Sequence, residues 1–313
     1  NSNYSKMMKL LFLCFSIFFC FFVSAQQEPI FSHYYNNEII FNPATSGSKK
    51  YNKLTINTRQ QWAGFEGAPL STNISYHGAV NNRSALGGYI MYDKADPALR
   101  ADLSLSYAYH VPLDYDNFNL SFGISSKLIY YNLDYTELEI PVLNDNAISN
   151  KTYTKISPEA SAGVLLYSRN LRLGYSSINI LQNSFKEPEN QNYENILYRN
   201  HFIIGAYKFA AINNDWQFEP SFLYRKQELN MAVTTLSLRA FYLKDTWGGV
   251  SFKNDGNIGF NIGFGSGNIH FAYSYDYTFR GDIASYNFGS HELMIEVRLS
   301  SANSERHISF WEY

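Results

Sequence analysis

The sequence predicts an all-β protein: a single transmembrane antiparallel β-barrel of about fourteen strands, formed after a cleaved signal peptide. Three observations carry this reading. Period-2 alternation dominates the chain from residue 51 onward, and helical periodicity is scarce. The apolar faces are aromatic, in a chain with 26 Tyr and 24 Phe among 313 residues. The runs are ~9–13 residues long, as a tilted crossing of hydrocarbon requires, against roughly 5–6 for soluble strands.

Composition excludes other classes. Charged residues make up 17% of the chain, against roughly 25% in a typical globular protein. The aromatic content argues against disorder. A mean hydropathy of −0.28 rules out a bundle of membrane helices, and a net charge of −2 leaves no basic footprint for nucleic acid.

The elements follow in order. Lys6 and Lys9 precede an apolar run of 14 residues, Leu10–Val23, and Val23-Ser24-Ala25 fits a small-residue cleavage site. Residues 1–25 therefore read as a secretory signal, with the mature chain starting at Gln26 and initiation at Met7 or Met8. The run is short of the ~20 residues that a membrane helix needs. Both cysteines, Cys14 and Cys20, fall inside it, so the mature chain has no disulfide or thiolate site, and its net charge is −4. Residues 26–50 include FSHYYNNEIIFNPATSG, too apolar for a solvated tail; they read as a plug or a periplasmic cap.

Strands are expected near 51–62, 71–78, 84–93, 100–111, 118–132, 159–168, 171–178, 198–210, 215–225, 231–243, 246–253, 257–264, 268–280 and 290–299. The alternation is clearest at Ile269, Phe271, Tyr273, Tyr275, Tyr277 and Phe279, opposite His270, Ala272, Ser274, Asp276 and Thr278. With a periplasmic N-terminus, the two longest connections, 133–158 and 179–197, both face outward and every inward turn is short. Outer-membrane barrels have that asymmetry. The barrel spans residues 51–300, and 301–313 form a C-terminal extension. Pro220, in mid-strand, implies a bulge or an unpaired stretch. Register around 198–210 is ambiguous and assigns no side to His201.

Side chains alone need not fill so wide a barrel. The inward ionisable residues are Lys53, Arg59, Asp102, Lys127, Glu219, Arg225, Arg239, Asp276, Glu292, Glu296 and Arg298. Mixed signs favour a paired network over a selective pore, in which one sign tends to dominate. No catalytic group stands out, although a Ser, His and Asn or Asp could meet in space on a barrel. The seven His are scattered without zinc spacing, so no metal is expected. Gly263, Gly265 and Gly267 lack a following helix and read as a tight turn rather than a phosphate cradle. Asp114, Asp116 and Asn117 read as a plain turn, too short for a calcium loop. No cofactor is expected.

Ordered motifs then bring in a resemblance. Phe31-Ser32-His33-Tyr34, Phe41-Asn42-Pro43-Ala44 with Gly47, and RQQWAGFEGAPLSTNISYHG over Arg59–Gly78 resemble the PorP/SprF family of the type IX secretion system. Within the last stretch, Arg59, Gln61, Trp62, Gly64, Gly67, Ala68, Pro69 and Thr72 match the family's most distinctive pattern. Weaker matches follow in order, through Glu219-Pro220-Ser221 and Tyr273-Ser274-Tyr275-Asp276 to Ser290-His291-Glu292-Leu293, and cover nearly all of 27–299. His33 stands where the family usually has Gln. The alternation ends at Leu299, whereas such barrels usually close on an aromatic; Phe310, Trp311 and Tyr313 are the available substitutes.

The resemblance implies an outer-membrane component that supports secretion or surface attachment of client proteins, such as gliding adhesins, by binding rather than catalysis. Implied partners are membrane lipid, client proteins or their C-terminal domains, and periplasmic parts of the apparatus. It assigns partner binding or loop shaping to Phe31, Tyr34, Asn42, Pro43, Arg59, Gln61, Trp62, Gly64 and Pro69. The alternative is a porin or transporter for small or hydrophobic solutes.

Overall fold

The computed structural model describes residues 29–114, 118–134, 152–186, 194–210, 215–228, 232–243, 245–281, 284 and 287–300. The expected signal peptide, the turn at Asp116 and Asn117, and the C-terminal extension with Phe310, Trp311 and Tyr313 lie outside these residues.

The first half of the wall is β1 (Asn52–Gln60), β2 (Leu70–Ala79), β3 (Ser84–Ala95), β4 (Ala98–Asp114), β5 (Phe118–Asp134), β6 (Thr152–Tyr167) and β7 (Leu171–Ile178). A separate hairpin follows, β8 (Ser184–Lys186) with β9 (Glu194–Ile196). The second half is β10 (Asn200–Tyr207) with its short continuation β11 (Phe209–Ala210), then β12 (Trp216–Gln227), β13 (Val233–Tyr242), β14 (Thr246–Lys253), β15 (Asn257–Ser266), β16 (Ile269–Thr278) and β17 (Ser290–Leu299). Each strand pairs antiparallel with its sequence neighbour, β10 bridges β7 and β12, and β1 pairs with β17. The sheet is thus a closed ring of fourteen strands, and closure satisfies the backbone groups that hydrocarbon cannot.

All fourteen expected strands are present. β6 begins seven residues earlier than its alternation indicates, at Thr152 rather than 159. Pro158 masks that start in the sequence. It is tolerated because β7 pairs with β6 only from Ala162 onward, so one side of β6 at Pro158 has no strand to bond. Pro220 has a similar explanation. The β10–β12 ladder reaches Ala206 opposite Ser221 and resumes at Phe209 opposite Phe218, leaving an unpaired stretch at Lys208. Lys208 instead donates its amide to Asn170 O at 2.9 Å. The β8–β9 hairpin was not foreseen; three-residue strands are too short to alternate.

The outer surface is apolar. Leu105 (65% exposed), Ile124, Ile156, Ile262 and Leu293 all point away from the ring, a distribution suited to acyl chains rather than water. Aromatics mark both rims: Trp216 packs on Tyr242 (4.9 Å) and Phe264 on Phe271 (5.3 Å) at one end, Phe252 on Phe279 (6.4 Å) at the other. The opposite strand faces look inward on residues 29–50, which run through the barrel interior and carry two short 3-10 turns, Glu38–Ile40 and Pro43–Thr45. Phe31, Tyr34, Tyr35, Ile40 and Phe41 of this segment form one apolar core with Tyr89, Met91, Phe202 and Leu223 of the wall.

Candidate functional site: the interior segment and its wall

Strand alternation places all eleven charges expected to be inward on the interior face. Register then sets them side by side: Arg59 opposes Glu292, Thr55 opposes Glu296, and Lys53 opposes Arg298 across β1 and β17. Glu219 opposes Arg239 across β12 and β13, and the two form an ion pair. Such pairing offsets the desolvation of buried charge.

The densest cluster surrounds Ser32. Glu292 accepts hydrogen bonds from the amides of Ser32 (2.6 Å) and His33 (3.0 Å), from His33 Nδ1 (2.8 Å) and from Asn57 Nδ2 (3.0 Å). Since a carboxylate only accepts, His33 carries its proton on Nδ1 there. Arg59 donates to Glu292 (3.3 Å), to Asp276 (2.7 Å) and to Ser32 Oγ (2.9 Å). Lys253 donates to Asp276 (2.8 Å) and to Ser32 Oγ (3.0 Å), and Ser32 Oγ itself donates to Asp276 (2.6 Å). Two acids, two cations and one hydroxyl thus close a network between four strands and the segment.

Below it, the Tyr34 hydroxyl meets Ser221 (3.1 Å) and Ser237 (3.3 Å). The Arg239 guanidinium lies 3.7 Å from the Tyr35 ring centre and donates to Asn36 Oδ1 at 2.9 Å. Burial raises both tyrosine hydroxyls above their ordinary pKa, so they stay protonated. Asn37 exchanges hydrogen bonds with Asn73 (2.8 Å) and Ser75 (2.7 Å) on β2, and Glu38 pairs with Arg172 on β7.

Asn42-Pro43-Ala44 is held by shape. A Cβ on Gly123 of β5 would lie 2.2 Å from the Ala44 nitrogen and 2.4 Å from the Pro43 carbonyl carbon. Gly163 on β6 and Gly174 on β7 make room for the Asn42 side chain. Three strands therefore lack side chains where this turn lies. Asn42 caps the turn by accepting from the Ala44 amide (2.9 Å) and donates to Val164 O (3.0 Å). Ser46 O lies 2.9 Å from His110 Nε2, and the Gly47 amide donates to His77 Nδ1 at 3.0 Å.

Sequence reasoning grouped some residues that the structure separates. Phe31, Tyr34, Asn42, Pro43 and Arg59 meet in the interior. Gln61, Trp62, Gly64 and Pro69 lie in the β1–β2 loop, at the rim that carries the long connections. That loop is pinned to the neighbouring connection: the Trp62 amide donates to Ser290 Oγ (3.1 Å), the Ala63 amide to Gly289 O (2.8 Å) and the Phe288 amide to Ala63 O (2.9 Å). Gly64 (φ 87°) has no space for a side chain because Phe288 covers it. Asp102 pairs with Arg100 (2.8 Å) and lies 3.7 Å from Lys127, which donates to Asn179 (2.8 Å); this cluster ties β4 and β5 to the end of β7. Arg225 bonds Asn200 (3.1 Å) across β10 and β12. His201 faces outward, 2.9 Å from the Tyr175 hydroxyl.

Ser32, His33, Lys253 and Arg172 were missed as interior anchors. Lys253 ends its strand and Arg172 is the second residue of another, so few alternating neighbours reveal their side. For Ser32 and His33 the available signal was polarity inside an otherwise apolar, aromatic segment.

Among the described residues, no group of three or more His, Cys, Asp or Glu is arranged to hold a metal ion.

Solved structures share the architecture. A CymD monoaromatic hydrocarbon channel is 11% identical with a TM-score of 0.52, covering 86% of this chain and 94% of its own. A FadL homologue from Pseudomonas aeruginosa is 13% identical with a TM-score of 0.50, covering 84% and 93%. At such identities the likeness concerns the fold. No curated protein sequence matches this chain. The family model described as type IX secretion system membrane protein PorP/SprF matches residues 23–297. With that match spanning the wall and the interior segment alike, the chain belongs to the PorP/SprF family of type IX secretion system membrane proteins, outer-membrane barrels of Gram-negative bacteria.

Proposed function

We propose that this barrel is a plugged scaffold. It holds a secreted client protein, or the client's C-terminal domain, together with a periplasmic component of the secretion apparatus, by binding rather than by catalysis. The observation that carries the reading is the interior segment. Residues 31–48 are buried, apart from the half-buried Asn36, and the segment is bonded to inward side chains or backbone of β2, β4, β6, β7, β12, β13, β16 and β17. The segment occupies the space that a diffusing solute would need, and its paired charges leave no single sign to select an ion. In this reading the expected plug or cap of residues 26–50 is a plug, of which residues 29–50 are described. Gln61, Trp62, Gly64 and Pro69 shape an outward rim, where Phe65 and Phe288 present exposed aromatic surface to a client.

Deleting the gene is expected to abolish display of particular surface proteins while leaving general outer-membrane permeability unchanged. Normal display in the deletion strain would overturn the reading. Purified protein in planar bilayers should show little steady conductance; large, stable single-channel steps would instead support a porin.

A further inference from the structure

Neighbouring strands of the ring differ in length. β6 has 16 residues and β7 has 8. β5 pairs with β6 from Thr152 onward, whereas β7 pairs with it only from Ala162, opposite Ser177. The end of β6 at the rim of the long connections is therefore a sheet edge.

Alternation sets the direction of each backbone group on that edge. The Ile180 amide donates to Ala160 O (3.0 Å), and Pro158 O accepts from the Asn183 side chain. Even-numbered residues of β6 thus turn their amides and carbonyls away from β5. At Thr152, Thr154 and Ile156 these groups have no backbone partner among the described residues. The chain that leaves β7 turns inward instead. The Asn183 amide donates to Glu159 (3.0 Å), Lys155 donates to Ser184 O, and Leu197 packs on Ile129, Tyr131 and Tyr153. The β8–β9 hairpin accordingly lies over the inner face of β5 and β6, not beside the edge.

Two further observations bear on what the edge can do. Ile156 lies opposite Tyr130, an exposed tyrosine of the lipid-facing surface. Interfacial aromatics mark the limit of the hydrocarbon, so Thr154 and Thr152, further along, rise into water, where an unpaired edge is tolerated. Sheet edges are usually blunted by an outward charge, a proline or a bulge. Here Pro158 sits below the free stretch, Lys155 is held inward by Ser184, and the β5 register has no shift. The outward side chains Thr152, Thr154 and Ile156 are uncharged and β-branched, the types that strands favour. Ile156 is 65% exposed.

We propose that the free edge of β6 takes an extended segment of a secreted client protein as one more antiparallel strand. Thr152, Thr154 and Ile156 supply amides and carbonyls, and Ile156 an apolar contact for the client's facing side chain. A second copy of this chain cannot play that part. Its β6 would cross the membrane in the same direction, whereas an antiparallel partner runs the opposite way. The inference rests on the scaffold reading and names how the client is held.

The test uses purified full-length protein in detergent and a short, capped, fluorescein-labelled peptide of alternating threonine and valine. A counterpart with proline at every second position cannot form a strand. The first peptide is expected to bind saturably in fluorescence anisotropy and to slow hydrogen exchange of the 152–156 amides; the second should do neither. Thr154→Pro removes an edge amide but no bond to β5. It should keep the heat-modifiable gel mobility of a folded barrel while affinity falls about tenfold or more. Lys94→Ala, on another exposed strand end, should change nothing. In the deletion strain, Thr154→Pro should restore display of the client proteins several-fold less well than wild type. Equal affinity of folded Thr154→Pro, equal binding of the proline peptide, or full display with Thr154→Pro would overturn the proposal. So would slow exchange at 152–156 before any peptide is added, because the chain's own residues would then cover the edge. Normal display in the deletion strain would remove the scaffold reading itself, so the two failures are told apart.

Discussion

Ser32 and Asn42 lie on the same buried segment, yet the wall grips them by different physics. Ser32 sits among Glu292, Asp276, Arg59 and Lys253, where each contact is a charge-assisted hydrogen bond. Asn42 and its neighbours sit against Gly123, Gly163 and Gly174, where the wall's contribution is missing side chains. The first anchor depends on completeness, because removing one member leaves others buried and unpaired. The second depends on volume, because adding atoms leaves nowhere for the backbone to go. One segment is therefore fixed at one point by chemistry and at another by shape.

The comparison is best broken at the charged anchor. Glu292→Ala strands four donors and should cost about 3–5 kcal/mol, as for other buried pairs that lose one partner. Trp247 reports the loss, because its ring centre lies 6.0 Å from both Tyr35 and His33. Its fluorescence should respond at lower urea than in wild type; an unchanged midpoint would remove Glu292 as an anchor. Gly123→Val attacks the shape anchor and should cost about 1–3 kcal/mol through overpacking. Here the expected sign is protease sensitivity near Asn42, with Trp247 fluorescence little altered; protection equal to wild type would show that the turn can shift.

Two smaller changes sharpen the contrast. Ser32→Ala removes one hydroxyl but leaves the acids paired with the cations, so about 1.5 kcal/mol is expected. Asn42→Ala removes a cap and one backbone bond, so about 1 kcal/mol is expected. Urea titration of each variant checks these values, and a loss for Ser32→Ala as large as that for Glu292→Ala would mean that the hydroxyl organises the cluster. The smallest effect belongs to the exposed Lys94–Asp96 pair (3.0 Å). Lys94→Ala should cost less than about 1 kcal/mol and lose even that in high salt.

How far the sequence reaches differs between wall and interior. Alternation at Ile269–Phe279 identifies the lipid side of β16 without ambiguity, because each residue adds an independent vote on the same face. It also identifies Asp276 and Glu292 as inward. It does not show that Ser32 joins them, since that contact spans 244 residues of chain and depends on where the segment enters. The glycine surface is equally hidden. Gly123, Gly163 and Gly174 look like three unrelated weak points in three strands until β5, β6 and β7 are laid side by side. Pro158 and Pro220 mislead a local reading, because their tolerance depends on which neighbour is absent at that height of the wall.

By itself the sequence determined the closed fourteen-stranded ring, its greasy exterior and the sign of its interior charges. These follow from a period-2 pattern that every strand repeats locally. Only the tertiary structure decided how the segment of residues 29–50 threads the ring, which charges it meets and where its turn finds empty wall. Such contacts join residues far apart in the chain, and their energies depend on register and curvature rather than on any local repeat.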